Sequence, residues 1–182
     1  MKTFLLITAI IVASVTTSHA QILMTKNGKI SFFSTTAMEN IDAVNNQVGS
    51  VVDKKSGSLR FSVQVTGFLF KKALMQEHFN EDYMESGKYP TATFKGSITD
   101  ISKVDFSKDG NYTVNVAGDL TLHGVTNKVT VPGTISIADG KVNATSTFNI
   151  LLADYKIDIP KMVQNNISKT IEIKVDCNYL PK

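Results

Sequence analysis

The chain has 182 residues, 42% of them hydrophobic, and its 19 Lys and Arg against 16 Asp and Glu leave a formal charge of only +3. Such a small surplus, spread along the sequence, argues against a nucleic-acid or anionic-membrane ligand. The single cysteine, Cys177, excludes an internal disulfide, so stability must come from packing.

Residues 1–20 have a secretory profile: Lys2 as a minimal positive region, an apolar run from Phe4 to Val15, and Ser18-His19-Ala20 as a small-x-small cleavage site. The run is too short for a good spanning helix, and no second candidate follows it. The mature chain is expected to begin at Gln21 and to be periplasmic or secreted. No Pro-rich, Ser-rich or charged linker divides residues 21–182, so they are expected to form one domain.

From Gln21 to Thr35 the pattern reads strand, Asn27-Gly28, strand, the strongest short hairpin signal. Residues 37–43 read as irregular or a single helical turn, and Lys54-Lys55-Ser56-Gly57 as a turn. Leu59, Phe61, Val63 and Val65 then alternate with Arg60, Ser62, Gln64 and Thr66, giving one apolar and one wet face. Between Lys71 and Ser86 the period changes. Leu74, Met75, His78, Phe79 and Tyr83 share one side of a helix. Gly87 is a plausible stop, and Pro90 sets the entry into a strand over 91–99 with Ala92, Phe94, Gly96 and Ile98 on one face. Tyr112 to Leu122 alternates for a long strand, with Val114, Val116 and Leu120 on its apolar face. His123–Asn127 turns the chain, 128–137 returns, and Asp139-Gly140 turns it again. Residues 142–152 follow, with Ala144, Ser146, Phe148 and Ile150 together. Residues 159–168 read as loop with a helical turn, and Ile171 to Tyr179 as the last strand.

Eight or nine mostly long strands, antiparallel by hairpin and each with one apolar face, satisfy either a sandwich or a barrel. A barrel of about eight strands has an interior that side chains fill or that holds one small ligand. Small residues among the interior positions, including Gly67, Gly96, Gly118, Ala92 and Ala144, leave room for a ligand.

Two motifs carry a resemblance. The first is His78-Phe79-Asn80 with Tyr83-Met84-Glu85-Ser86, Tyr89-Pro90 and Phe94-Lys95-Gly96; the second is Gly118-Asp119-Leu120-Thr121-Leu122-His123-Gly124-Val125-Thr126. Together with Ile30-Ser31-Phe32-Phe33-Ser34 they resemble the YceI family of secreted lipid-binding proteins over nearly the whole mature chain. The resemblance implies an all-β fold: an extended, lipocalin-like, eight-stranded antiparallel barrel with one helix, about 71–86, inserted between strands. It further implies a periplasmic location and an apolar cavity that takes an isoprenoid chain, and it supplies no catalytic residue.

The cavity-lining candidates, taken from the apolar faces of the best-patterned strands, are Phe61, Val63, Val65, Phe94, Val114, Val116, Leu120 and Phe148, with Phe79 and Tyr83 closing one end from the helix. His78, Lys95 and His123 are candidates for a polar head group. His78 and His123 lack a ligand partner at metal-motif spacing and read as structural histidines, and Cys177 sits in an apolar strand series like a small hydrophobe. No Gly-x-Ser-x-Gly, His-Glu-x-x-His, Walker loop or dinucleotide fingerprint occurs, so neither an enzyme nor a cofactor is expected. The expected function is a carrier for an apolar or amphiphilic lipid such as a polyprenyl or prenyl-quinone compound. The alternative is an envelope interaction protein whose barrel is filled and whose outer surface binds a protein partner of unknown identity.

Overall fold

A computed structural model describes residues 21–181. The expected secretory segment and cleavage site, residues 1–20, lie outside the described residues.

The strands are β1 (Ile22–Thr35), β2 (Asn40–Asp53), β3 (Ser58–Gln64), a two-residue β4 (Leu69–Phe70), β5 (Thr91–Ile98), β6 (Gly110–Leu122), β7 (Val125–Ala138), β8 (Lys141–Leu151) and β9 (Thr170–Pro181). Their order is β1-β9-β8-β7-β6-β5-β3-β2-β4, and β1 also pairs with β2. That extra pairing closes eight antiparallel strands into a barrel and removes both long edges. Short β4 is an appendage on β2, at Ala43 and Val44.

Two hairpins follow local chemistry closely. His123 (φ 48°) with Gly124 (φ 71°) and Asp139 (φ 51°) with Gly140 (φ 71°) occupy left-handed conformations at two-residue turns. Both central positions need positive φ to match the strand twist. The β6–β7 turn is therefore shorter than the expected 123–127, and the ladder begins at once with Leu122 opposite Val125.

The Asn27-Gly28 hairpin does not form. β1 runs straight through it, with register shifts against β2 between Thr25 and Ile30. Gly28 serves a close approach instead. A β-carbon there would sit 2.6 Å from Cys177 Sγ and 3.1 Å from the Val48 carbonyl oxygen, so its missing side chain makes room for a thiol across the β1–β9 pair. Cys177 is fully buried, and burial, helped by neighbouring Asp176, pushes its thiol from an ordinary 9.0 up to about 12. Tyr179, hydrogen-bonded through its hydroxyl to Ser50 Oγ at 2.7 Å, is pushed up by burial too. Below pH 9 the thiol holds its proton in both the native and the unfolded chain. Above it the unfolded chain releases the proton first, so native stability is expected to fall as pH rises from 9 to about 12. Urea midpoints across that range would check this, and a Cys177→Ala chain should show a shallower fall. A thiol reagent at pH 8 is expected to label Cys177 only after unfolding.

The excursion between β3 and β5 carries the helix. α1 (Ala73–His78) continues into one wider turn over Phe79–Tyr83, closed by the Met84 N–H on the Phe79 carbonyl at 2.9 Å. Glu85 (φ 42°) ends it, and the Ser86 N–H returns to the Asn80 carbonyl at 2.7 Å. The stop is thus Glu85 rather than Gly87, and the helical span is 73–83 within the expected 71–86. This excursion, the β1–β2 loop, the His123-Gly124 turn and residues 152–169 all lie at one end of the barrel, called here the helix end.

Candidate functional site

The inward positions of the eight strands do not fill the barrel. They enclose a cavity of about 390 Å3, within the ~300–1,000 Å3 range of small-molecule sites. Its wall is overwhelmingly aliphatic and aromatic. Deep in the barrel it is made by Leu23, Val52, Leu59, Phe94, Val114 and Ile135, and towards the helix end by Phe32, Phe70, Phe79, Leu122 and Ile173. Glu39, His78 and Asn166 line it at the helix end, where His78 is half exposed.

The room has a local cause. Gly96 and Gly118 face each other across the β5–β6 pair, and the tip of the Phe94 ring lies over both. With no side chain at either position, the wall is only one ring thick there. Ala92, Ala144 and Gly133 thin it elsewhere.

All ten apolar candidates lie in this wall: Phe61, Val63, Phe94, Val114, Val116, Leu120 and Phe148 from the strands, Val65 from the 3-10 turn (Val65–Gly67) that ends the alternation just after β3, and Phe79 and Tyr83 from the helical segment. The head-group candidates divide. His78 reaches the cavity at the helix end, its Nδ1 2.6 Å from Asp82 Oδ2 one helical turn away. Lys95 is exposed on the outer face, one residue out of phase with inward Phe94 and opposite Asp119 and Arg60. His123 is outside the wall as well. Its Nε2 lies 2.8 Å from Glu85 Oε2, its Nδ1 3.2 Å from the Tyr155 carbonyl, and its ring meets the Tyr89 ring edge-on at 4.8 Å. Gly124 packs directly on Tyr89, where any β-carbon would collide. His123 is thus a tie between the helical excursion, the β6–β7 turn and residues 152–155. His123→Ala is expected to cost about 1–3 kcal/mol by stranding these partners. Thermal unfolding would measure it.

Phe32, Phe68 and Phe70 escaped sequence reasoning. They cluster with Phe79: Phe32 stacks on it at 5.3 Å between ring centres, and Phe70 and Phe68 lie 5.0 and 5.7 Å away. Phe68 and Phe70 sit in a tight turn and a two-residue strand, too short to show any periodicity. Phe32 had a signal in its place two residues from Ile30 in an alternating run. Because Phe79 is the centre of this cluster, Phe79→Ala is expected to lower stability by about 2–4 kcal/mol as well as to open the helix end of the cavity. Chemical denaturation would read the first effect.

Tyr83 lies at the edge of the wall and is pushed up by burial and by Asp82. Among the described residues no group of three His, Cys, Asp or Glu side chains converges as a metal site.

The pattern of the YceI-like domain matches residues 11–179. Among curated proteins, a UPF0312 protein of Pseudomonas fluorescens is 32% identical over 88 residues, 48% of this chain and 43% of that protein. A UPF0312 protein of Vibrio parahaemolyticus is 37% identical over 87 residues, 44% of this chain and 41% of its own length. The chain thus spans under half the length of these relatives. Among solved structures, a polyisoprenoid binding domain from Saccharophagus degradans superposes with a TM-score of 0.75 at 14% identity, covering 90% of this chain and 99% of that one. BcnA of Burkholderia cenocepacia superposes with a TM-score of 0.69 at 19% identity, covering 84% and 96%. The barrel is the fold these proteins share, and with the family pattern running through nearly every strand described above, the chain belongs to the YceI-like domain family.

Proposed function

We propose that the protein is a carrier that sequesters the apolar chain of a lipid, of isoprenoid type, inside the barrel. The observation behind this reading is the unfilled apolar interior. Left open, such an apolar wall forgoes the roughly 25 cal/mol per Å2 that burial would give it. A lipid chain removes that penalty and gains roughly 0.8 kcal/mol for each methylene taken out of water. The polyisoprenoid-binding domain of the same fold from Saccharophagus degradans supports the choice of ligand class. A filled barrel acting only through its outer surface would not keep this space.

The mechanism is burial without covalent chemistry. The wall excludes water and holds the chain by dispersion, while His78 with Asp82 at the helix end offers the polar contact for a head group. The secretory profile of residues 1–20 supports delivery to the periplasm, and a purified mature chain starting at Gln21 would agree with it.

The test is extraction of lipid from protein purified from its own host, together with titration of a prenyl quinone. At a hundred times Kd, binding should add about 2.7 kcal/mol and raise Tm by about 5–10 °C. No co-purified lipid and no shift in Tm would overturn the carrier reading.

A further inference from the structure

The barrel is not zipped equally at every seam. Ladder pairs join β6 to β7 from Gly110–Ile137 to Leu122–Val125, and β8 to β9 from Val142–Tyr179 to Leu151–Thr170. Between β7 and β8 the pairing runs from Ala138–Lys141 only as far as Thr134–Thr145. Among the described residues no ladder pair joins 125–133 to 146–151.

The sequence supplies the reason. In an antiparallel ladder a residue's N–H and C=O point to the same side, and every second residue faces the same neighbour. Thr134 is followed two residues earlier by Pro132, whose carbonyl faces β8 and accepts a 2.6 Å hydrogen bond from Ser146 Oγ. The next bond of the ladder would need an N–H from Pro132, which has none. The serine hydroxyl caps the carbonyl, and beyond it the strands part. The opening is bounded again at the helix end, where Asn127 Nδ2 donates to the Asp154 carbonyl at 2.7 Å. From Asn127 to Pro132 it is roughly 17 Å long at ~3.3 Å per residue.

The edges of this slot are also walls of the cavity. Val129 and Val131 on β7, with Phe148 and Ile150 on β8, line the interior on its two sides. The alternate residues Lys128, Thr130, Thr147 and Asn149 are exposed. A long, apolar-lipped break in the ladder between two strands suits an alkyl or prenyl chain lying along the barrel.

Resting on the carrier reading, we propose that the unzipped half of the β7–β8 seam is a lateral portal through which the lipid chain enters and leaves the cavity, with Pro132 and Ser146 setting where it ends. The chain can then slide in sideways along its length, without being threaded end-on past His78 and the aromatic cluster.

The test uses exchange of a prenyl benzoquinone between the protein and phosphatidylcholine vesicles. Thr130→Cys with Asn149→Cys places thiols on the two outward lips, where a short reducible bis-thiol linker can tie the slot shut; buried Cys177 does not compete. Ala138→Cys with Lys141→Cys makes the same link in the zipped half. Lys72→Cys with Glu39→Cys, replacing a 2.9 Å ion pair, ties α1 to the β1–β2 loop across the helix end. Linking 130 to 149 should slow exchange at least tenfold and leave equilibrium occupancy within twofold. Reduction should restore the rate, and the 138–141 link should change nothing. Pro132→Thr, which returns the missing donor, should slow exchange several-fold and give the new amide at 132 protection from hydrogen exchange. An unchanged rate with the 130–149 link, or a slowing only with the 39–72 link, would overturn the portal and place entry at the helix end. Absence of quinone binding to the unlinked protein would instead remove the carrier reading, and the portal with it.

Discussion

Gly118→Ala and Gly96→Ala are each expected to destabilise the protein by about 2–4 kcal/mol. A β-carbon at 118 would lie 2.5 Å from both the Lys95 carbonyl oxygen and Gly96 Cα, and 2.7 Å from the tip of the Phe94 ring. One at 96 would collide with the Ala117 carbonyl oxygen and lie 2.6 Å from the same ring. Two of the three obstacles in each case are backbone held by the β5–β6 ladder, so they cannot give way as a flexible side chain would. The ~0.4–1 kcal/mol that alanine usually gains by restricting the unfolded chain offsets little of this. Gly133→Ala is the matched control. Its nearest neighbour would be the Thr145 carbonyl oxygen at 3.4 Å, ordinary contact, and its effect should stay within about 1 kcal/mol. Urea midpoints for the three variants decide the matter, and equal midpoints would show that the glycine pair is not a tight contact.

On the carrier reading proposed above, Ala144→Phe should weaken binding of a prenyl quinone at least about 100-fold while the barrel still folds. Ala144 lies opposite Ile135 and Cys177 and lines the cavity, so a ring added there enters space that the ligand chain would use. Excluding one five-carbon unit forfeits roughly 4 kcal/mol of burial at ~0.8 kcal/mol per carbon, close to three orders of magnitude in Kd. Filling a void also removes part of its own cost, so Tm of the ligand-free protein should hold or rise. Calorimetric titration beside a thermal melt separates the two effects. Undiminished affinity in a stable Ala144→Phe chain would mean that the ligand does not occupy the barrel.

The contrast between these variants and His123→Ala follows from where the residues sit. Gly118 and Ala144 shape the wall, whereas His123 ties the excursion to the barrel through Glu85 and the Tyr155 carbonyl without reaching the interior. A histidine inside a recognisable motif is easily read as a binding group. Here its two nitrogens are already spoken for by a carboxylate and a backbone carbonyl.

Much of the site was legible because strand parity is a local property. Once Phe94 faces inward, Ala92 does too, and Lys95 must face out; that parity alone could have removed Lys95 from the head-group candidates. The same rule correctly placed Val114, Val116 and Leu120 on one wall of β6. Phe68 and Phe70 were beyond it, since a 3-10 turn and a two-residue strand have no period to read. Asn27-Gly28 misled for the opposite reason. The dipeptide has every local mark of a hairpin, but Gly28 answers to Cys177, which is distant in sequence and adjacent in space.

By itself, then, the sequence determined the alternating faces, the Asp139-Gly140 turn and the motifs that mark the family, because each is written in residues within a few positions of one another. The tertiary structure alone decided how much of the interior is left empty and where the wall is unzipped. The empty volume is the difference between the girth of a closed eight-stranded ring and the side chains that eight separate strands point into it. The slot depends on a proline in one strand whose carbonyl takes a hydrogen bond from a serine hydroxyl of the next. Neither quantity exists until the strands are brought into register.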